Sequence, residues 1–267
     1  HYLNLPEEDY FLFGEKEDRI ILAVADGITR DPKGTLWLPA RDNPEEMKEA
    51  TDRYPRPSPA RIAAETFCET FIKKAKRWKK EEEFKSVFEK SNHAIASLNK
   101  NLEINYLDKD FWACVGAGCI IENDTLYWGF LTDCGVCVFN SKGEIKFQTP
   151  NEGPSKEIDN EAKKRKTSWR DPSWRSYARK HYRNNPYEKH SYGGFTGEKS
   201  AIHYLRTGKL KLENGDYIIV YSDGTLPLLQ SGKKFVSEFT ELEKYAENHS
   251  KNIAGSEATL IAVHWSV

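Results

Sequence analysis

The chain has 267 residues, of which 38% are hydrophobic and 12% aromatic, a length that suits one large domain and an apolar content that excludes wholesale disorder. Lys+Arg number 40 and Asp+Glu 41, so the net charge of −1 excludes a bulk basic nucleic-acid tail or an acidic spacer. The longest apolar run, Trp112 to Ile121, has 10 residues, about half of a membrane span, so no membrane partner is expected.

No secretory signal opens the chain. It begins at His1 and its only methionine is Met47, which reads as a trimmed or processed product with a piece upstream. Five cysteines (Cys68, Cys114, Cys119, Cys134, Cys137) are an odd number for a disulfide framework and read as reduced thiols of a cytoplasmic protein. Cys134-Gly135-Val136-Cys137 is formally a CxxC, but it falls in an apolar, strand-like run rather than at a helix start. Buried strand cysteines are therefore expected there.

In chain order, Tyr10 to Phe13 and Arg19 to Ala25 read as strands. The second is continuously apolar from Ile20, as in a strand buried on both faces, and stops at Asp26-Gly27. Residues 30–57 hold five prolines among charges and read as a long surface loop. Ser58-Pro59 is an N-cap followed by proline at the first helical position. It opens a helix to about Arg77 with Ile62, Ala63, Phe67, Phe71 and Ile72 on one face. A second helix carries Phe84, Val87, Phe88, Ala94, Ile95 and Leu98 at helical spacing. A strand meander follows over Trp112 to Ile121, Thr125 to Thr132 and Gly135 to Phe139. Ser141-Lys142-Gly143 then turns the chain into Glu144 to Gln148.

Lys163 to Arg183 differs in character. It holds nine basic residues against one acid, Asp171, so this segment carries +8 and the rest of the chain −9. Trp169, Trp174, Tyr177 and Tyr182 are interleaved. Such a segment can track a nucleic-acid strand by charge and stacking. It can equally be a partly helical insertion whose aromatics pack while its charges are solvated, or a flap that attracts a phosphorylated substrate. The packed insertion is the simplest of the three and is compatible with the flap. The last third brings a turn at Gly215-Asp216 and a buried strand Tyr217 to Tyr221 ending at Ser222-Asp223-Gly224. A short helix, a longer helix from Lys233 to about Asn248 and a final strand Thr259 to Trp265 complete it.

One pattern carries chemistry. Three strands end in an aspartate beside a glycine or small residue: Ala25-Asp26-Gly27, Thr132-Asp133-Cys134 and Ser222-Asp223-Gly224. Each Asp-Gly alone is a common turn pair. Three carboxylates at the mouths of apolar strands repel one another and are costly to desolvate unless a cation neutralises them. All-oxygen ligation suits Mg²⁺ or Mn²⁺ rather than zinc, and glycine after Asp26 lets a backbone carbonyl approach a metal.

Glu7-Glu8-Asp9-Tyr10, Leu22 to Gly27, Leu131-Thr132-Asp133-Cys134, Leu212 to Gly224 and Ala258 to Val263 occur in that order. The ordered set, spanning about Pro6 to the end, resembles the type-2C (PPM-type) metal-dependent protein Ser/Thr phosphatases, and the bacterial-like members more than the eukaryotic ones. The resemblance implies an α+β fold, a four-layer α/β/β/α sandwich of two mostly antiparallel sheets flanked by helices. It implies one catalytic domain over residues 1–267, with 150–196 as a basic, aromatic flap.

It implies, too, two or three Mg²⁺ or Mn²⁺ ions and hydrolysis of phosphoserine and phosphothreonine monoesters by a metal-activated hydroxide, the substrate being a phosphorylated protein. Asp26 would bridge two metals, with Glu8 and the Gly27 carbonyl on one, Asp223 on the other and Asp133 on a third. Asp9 would orient a metal-bound water.

The chain departs from the family pattern in four places. Ser256 takes the place of the last acidic ligand, with Glu257 next to it as the replacement. Asn4 takes the place of a phosphate-gripping arginine, for which Arg175, Arg179 or Arg183 of the flap would substitute. Ile28 stands where eukaryotic members have an acid-donating histidine, and Thr132 stands in place of a glycine. These departures keep a second reading open, a phosphatase-like binding or regulatory protein with a degraded metal site. A nucleic-acid-binding module is the least favoured.

Overall fold

The computed structural model describes residues 7–28, 45, 52, 54–100, 112–169, 171–230, 232–241 and 257–266. Its strands are β1 (Tyr10–Lys16), β2 (Arg19–Gly27), β3 (Cys114–Glu122), β4 (Thr125–Leu131), β5 (Gly135–Phe139), β6 (Ile145–Gln148), β7 (Arg206–Lys211), β8 (Tyr217–Tyr221) and β9 (Leu260–His264). Its helices are α1 (Pro59–Ala75), α2 (Phe84–Asn99), α3 (Lys156–Lys164), α4 (Pro172–Tyr182), α5 (Leu226–Leu229) and α6 (Gly232–Ser237).

The strands form two sheets, of order β1-β2-β3-β4-β7 and β6-β5-β8-β9, and every pairing is antiparallel. Side chains alternate across a strand, so each strand supplies two layers. In β8, Ile218 and Val220 join Val136 and Val138 of β5 in the core between the sheets. The intervening Ile219 and Tyr221 pack outward, with Cys137 and Phe139, against Leu228, Leu229 and Phe235 of α5 and α6.

On the other side, α1 and α2 cover the first sheet with the rings of Phe67 and Phe71, which stack, and Phe88, which meets Phe71 edge to face, each fully buried and each contributing about 1.5–3 kcal/mol by leaving water. Glycines make room for these rings: a Cβ at Gly118 would stand 2.5 Å from Phe71, and one at Gly129 would stand 2.6 Å from Phe88. The result is helices, sheet, sheet, helices, the four-layer α+β sandwich implied by the motif order. α1 starts where Ser58-Pro59 predicts, with Ser58 Oγ accepting the Arg61 N–H at 3.0 Å.

Three elements differ from expectation. β2 does not stop before Asp26-Gly27 but runs through both, because β3 continues to pair with it as far as Gly27↔Cys114. β7 was not anticipated. Its sequence, Arg-Thr-Gly-Lys-Leu-Lys, has the charged, poorly buried pattern of an edge strand and is held by pairing with β4. The helix from Lys233 ends at Ser237 and gives way to a 3₁₀ turn over Phe239–Glu241. Phe239 turns in against Tyr217, 4.9 Å between ring centres, and tertiary packing overrides the helical period. The rest of that expected helix and most of the proline-rich loop lie outside the described residues.

Residues 150–196 hold α3 and α4 around a small core of their own, Ile158, Ala162, Trp174, Ala178 and Tyr192. Trp169, Tyr177 and Tyr182 are partly buried against it, so all four aromatics of the basic stretch serve packing rather than an open stacking platform. The charges divide. Lys163, Lys164, Arg165, Lys166 and Lys180 are exposed, Arg179 is half-buried, and Arg175 and Arg183 are buried at 6% and 4% exposure.

Candidate active site

Asp26 is in phase with Leu22 and Val24 on β2 and therefore points between the sheets, where β2 emerges at one end of the sandwich. Gly27 faces α1 instead. A Cβ there would lie 2.6 Å from the Ala60 carbonyl oxygen and 2.7 Å from that of Glu8, so only glycine lets the start of α1 and the entry to β1 close on this strand. Asp133 is the middle of the three residues that carry the chain from β4 in one sheet to β5 in the other. The preceding residue, Thr132, has φ of 75°, a left-handed conformation costly for a β-branched side chain. Thr132 is pinned there by its hydroxyl on the Gly193 carbonyl at 2.9 Å and by Glu152 N–H on its own carbonyl at 2.7 Å. Asp223 opens the 3₁₀ turn after β8.

These carboxylates sense one another. Asp26 is pushed well above the ordinary carboxyl value, first by desolvation and then by the charges of Asp9, Asp133, Asp223 and Glu257. Desolvation raises Asp133 to about 7, with Asp223 adding to it. Asp9 is raised to about 6 by desolvation, opposed by a hydrogen bond from Ser222 and reinforced by the charge of Glu257. Asp223 is raised by desolvation. Asp133 Oδ1 is buried and has no hydrogen-bond partner among the described residues. Such a cluster is a liability for folding and is characteristic of a functional site.

Glu8 and Glu257 are held differently. Glu257 Oε2 accepts the backbone N–H groups of Glu8 and Asp9, both at 2.7 Å, which anchors the entry of β1 to the segment leading into β9. Glu8 Oε1 accepts the Tyr54 hydroxyl at 2.6 Å. Tyr54, Arg61, whose guanidinium bonds the Asp9 carbonyl, and Ser222 were not foreseen as site residues. Ser222 alone had a signal, its place beside Asp223. Ser256 and Asn4 lie outside the described residues. All five cysteines are free and buried, with their thiols raised by burial.

A cavity of about 250 Å³ opens beside Asp26 and Asp133. Segment 150–196 forms its far wall, with Pro154, Trp169, Arg179, Arg183 and Tyr192 among the lining residues, and Ile28 also lines it. Arg175, the third flap arginine considered, is not among them.

The donor chemistry is that of a hard divalent cation: oxygen atoms only, on desolvated and mutually repelling carboxyls, one of them with an orphaned buried oxygen. Among the described residues, no three His, Cys, Asp or Glu side chains already form a ligand cluster. The fit is thus one of chemistry and position.

No protein-family model matches the chain, and no curated protein matches its sequence. Solved structures do match. The serine/threonine phosphatase of S. agalactiae aligns over 98% of this chain and 94% of its own, at 14% identity and TM-score 0.60. The catalytic domain of the serine threonine protein phosphatase PstP, in complex with two manganese ions, aligns over 97% and 91%, at 12% identity and TM-score 0.53. RsbX in complex with magnesium aligns over 96% and 85%, at 14% identity and TM-score 0.51. The chain therefore has the fold of the bacterial type-2C phosphatases. Among the described residues, no helix is long and apolar enough to cross a membrane.

Proposed function

We propose that this chain is a Mg²⁺- or Mn²⁺-dependent phosphatase that hydrolyses phosphoserine and phosphothreonine monoesters in proteins. The observation that carries the reading is the set of partly desolvated, mutually repelling carboxylates, Asp26, Asp133, Asp223 and Asp9, at one end of a phosphatase fold. Two or three ions would be held there. Asp26 would bridge, Glu8 and the Gly27 carbonyl would serve one side, and Asp223 with the remaining oxygen of Glu257 the other, while Asp133 would serve a further, weaker position. When bound, the ions supply a water of lowered pKa and neutralise the phosphoryl oxygens.

The chain's own residues do the rest. Asp9 Oδ2 accepts a hydrogen bond from Ser222, which fixes the carboxylate that would orient a water and take its proton. Beside bound cations its carboxyl would be held ionised, able to accept a hydrogen bond from that water. Trp169 and Tyr192 wall the cavity opposite the carboxylates. Ile28 offers no proton, so the leaving oxygen takes one from water. The buried thiols support a bystander role for the cysteines and, unpaired, a reducing compartment such as the cytoplasm. One domain with residues 150–196 as its flap completes the proposal.

The double engagement of Glu257 Oε2 by backbone N–H groups favours, as the second reading, a binding or regulatory protein with a weakened second metal position. Calorimetric titration of Mn²⁺ decides. Saturable binding that Asp26→Ala and Asp223→Ala abolish supports the enzyme, and an unchanged affinity in those variants refutes the site.

A further inference from the structure

We infer that Tyr54 is a positioning residue for Glu8, its phenol fixing the Glu8 carboxylate in advance of a divalent cation. The inference rests on the phosphatase reading of the site and adds to it a residue from the stretch ahead of α1, 46 positions from Glu8 in the chain.

The backbone around Glu8 is gripped by several groups. Glu257 Oε2 accepts the N–H groups of Glu8 and Asp9, both at 2.7 Å. The guanidinium of Arg61, on the first turn of α1, bonds the Asp9 carbonyl. It is itself braced by the Glu65 carboxylate at 2.8 Å and stands 4.5 Å from the centre of the Tyr10 ring. Gly27, having no side chain, admits the Glu8 carbonyl and the start of α1 at close range. The main chain is thus set, but a glutamate still has three side-chain torsions, and a ligand group that must be ordered on binding loses affinity. The Tyr54 hydroxyl acts on those torsions. It donates to Glu8 Oε1 at 2.6 Å, between residues only 4% and 8% exposed.

The chemistry of the donor matters. A phenol keeps its proton at neutral pH, so it orients the carboxylate without cancelling its charge, as a lysine or arginine in its place would. One such bond does not use up a carboxylate, whose two oxygens offer about four acceptor sites. Hydrogen bonds to a ligating group from outside the metal's own shell are a general means of presetting that ligand. The seat of Tyr54 follows from α1. Tyr54 lies just ahead of Ser58, the buried N-cap whose Oγ accepts the Arg61 N–H at 3.0 Å. The start of the helix therefore brings Tyr54 to the Glu8 side chain and Arg61 to the Asp9 carbonyl together.

The test is calorimetric titration of Mn²⁺ into the wild type, Tyr54→Phe, Glu8→Gln and the double variant, with Tm in EDTA measured on each to establish folding. Tyr54→Phe keeps the ring and removes the hydroxyl. It is expected to bind Mn²⁺ about ten- to hundredfold more weakly than the wild type. In the Glu8→Gln background the same change is expected to cost nothing further, because the carboxylate it served is gone. In turnover of a phosphothreonine peptide, the Mn²⁺ concentration for half-maximal rate rises in Tyr54→Phe by the same factor, and excess Mn²⁺ restores kcat. A tyrosine that only fills space moves neither. A second measurement leaves the hydrogen bond in place: with 3-fluorotyrosine at position 54, the ¹⁹F resonance is expected to shift on titration with Mg²⁺. Equal Mn²⁺ affinity in the wild type and Tyr54→Phe, an equal loss in both backgrounds, or a ¹⁹F resonance blind to Mg²⁺ in a protein that binds it overturns the inference and leaves the phosphatase reading standing. No saturable Mn²⁺ uptake by the wild type overturns both.

Discussion

Ser222 Oγ donates a 2.7 Å hydrogen bond to Asp9 Oδ2, joining the end of β8 in one sheet to the entry of β1 in the other. The same oxygen accepts the Thr259 N–H at 3.0 Å, so one hydroxyl ties three segments at the carboxylate mouth. The bond opposes the desolvation of Asp9. Ser222→Ala removes it and leaves a buried carboxylate oxygen and a buried N–H without that partner. We expect a loss of about 1–3 kcal/mol in denaturant unfolding. We also expect a further rise of the Asp9 pKa, read by carboxyl NMR titration. Stability and titration both unchanged would remove Ser222 from the site.

The raised carboxyls set a pH dependence for the metal-free protein. Asp9, at about 6, and Asp133, at about 7, stand above the 3.8 of an ordinary aspartate, and Asp26 shifts the same way. Between those values the native state still holds protons that the unfolded chain has released. Their contribution to stability is thus fully present below about pH 4, is lost as pH rises through about 6–7, and is flat above. In EDTA, the denaturant midpoint is expected to be lower at about pH 7.5 than at about pH 5. A higher midpoint at the upper pH contradicts the shifts.

Removing one of the repelling charges separates function from stability. Asp26→Asn keeps the shape, relieves the repulsion with Asp9, Asp133 and Asp223, and is expected to stabilise the metal-free protein by about 0.5–2 kcal/mol at neutral pH. Mn²⁺ stabilises the wild type and not the variant. Thermal melts with EDTA and with Mn²⁺ check both halves, and a destabilised metal-free variant counts against the repulsion.

Gly224 has no room for a side chain, because a Cβ would fall within bonding distance of the Glu257 carbonyl oxygen. Gly224→Ala must push Glu257 away, which also loosens its carboxylate from the N–H groups of Glu8 and Asp9. A loss of about 1–3 kcal/mol is expected from overpacking, together with weakened Mn²⁺ binding, measured by unfolding and calorimetry. Wild-type stability in this variant would mean that the two segments do not pack as described.

How much of this was legible beforehand follows from how local each signal is. The apolar run of β2 and the glycine or small residue beside Asp26, Asp133 and Asp223 are local patterns, and the order of those motifs carried the resemblance that implied the four layers. β7 is a strand only because Arg206 to Lys211 finds β4 beside it, and no period in a charged edge strand announces that. Tyr54 reaches Glu8 across 46 positions from within a proline-rich stretch, a contact made by the folded chain alone. The resemblance gave Arg175, Arg179 and Arg183 equal standing. The docking of the flap separates them, placing the last two on the cavity and the first away from it.

The central claim is that the carboxylate mouth hydrolyses phosphate monoesters with the help of divalent cations. Phosphate release from a phosphothreonine peptide, followed across a Mn²⁺ series for the wild type and Asp26→Asn, tests it most directly. The account predicts release that rises with Mn²⁺, vanishes with EDTA and falls at least about a hundredfold in Asp26→Asn. No release by the wild type at any Mn²⁺ concentration, or equal release by the variant, would contradict it.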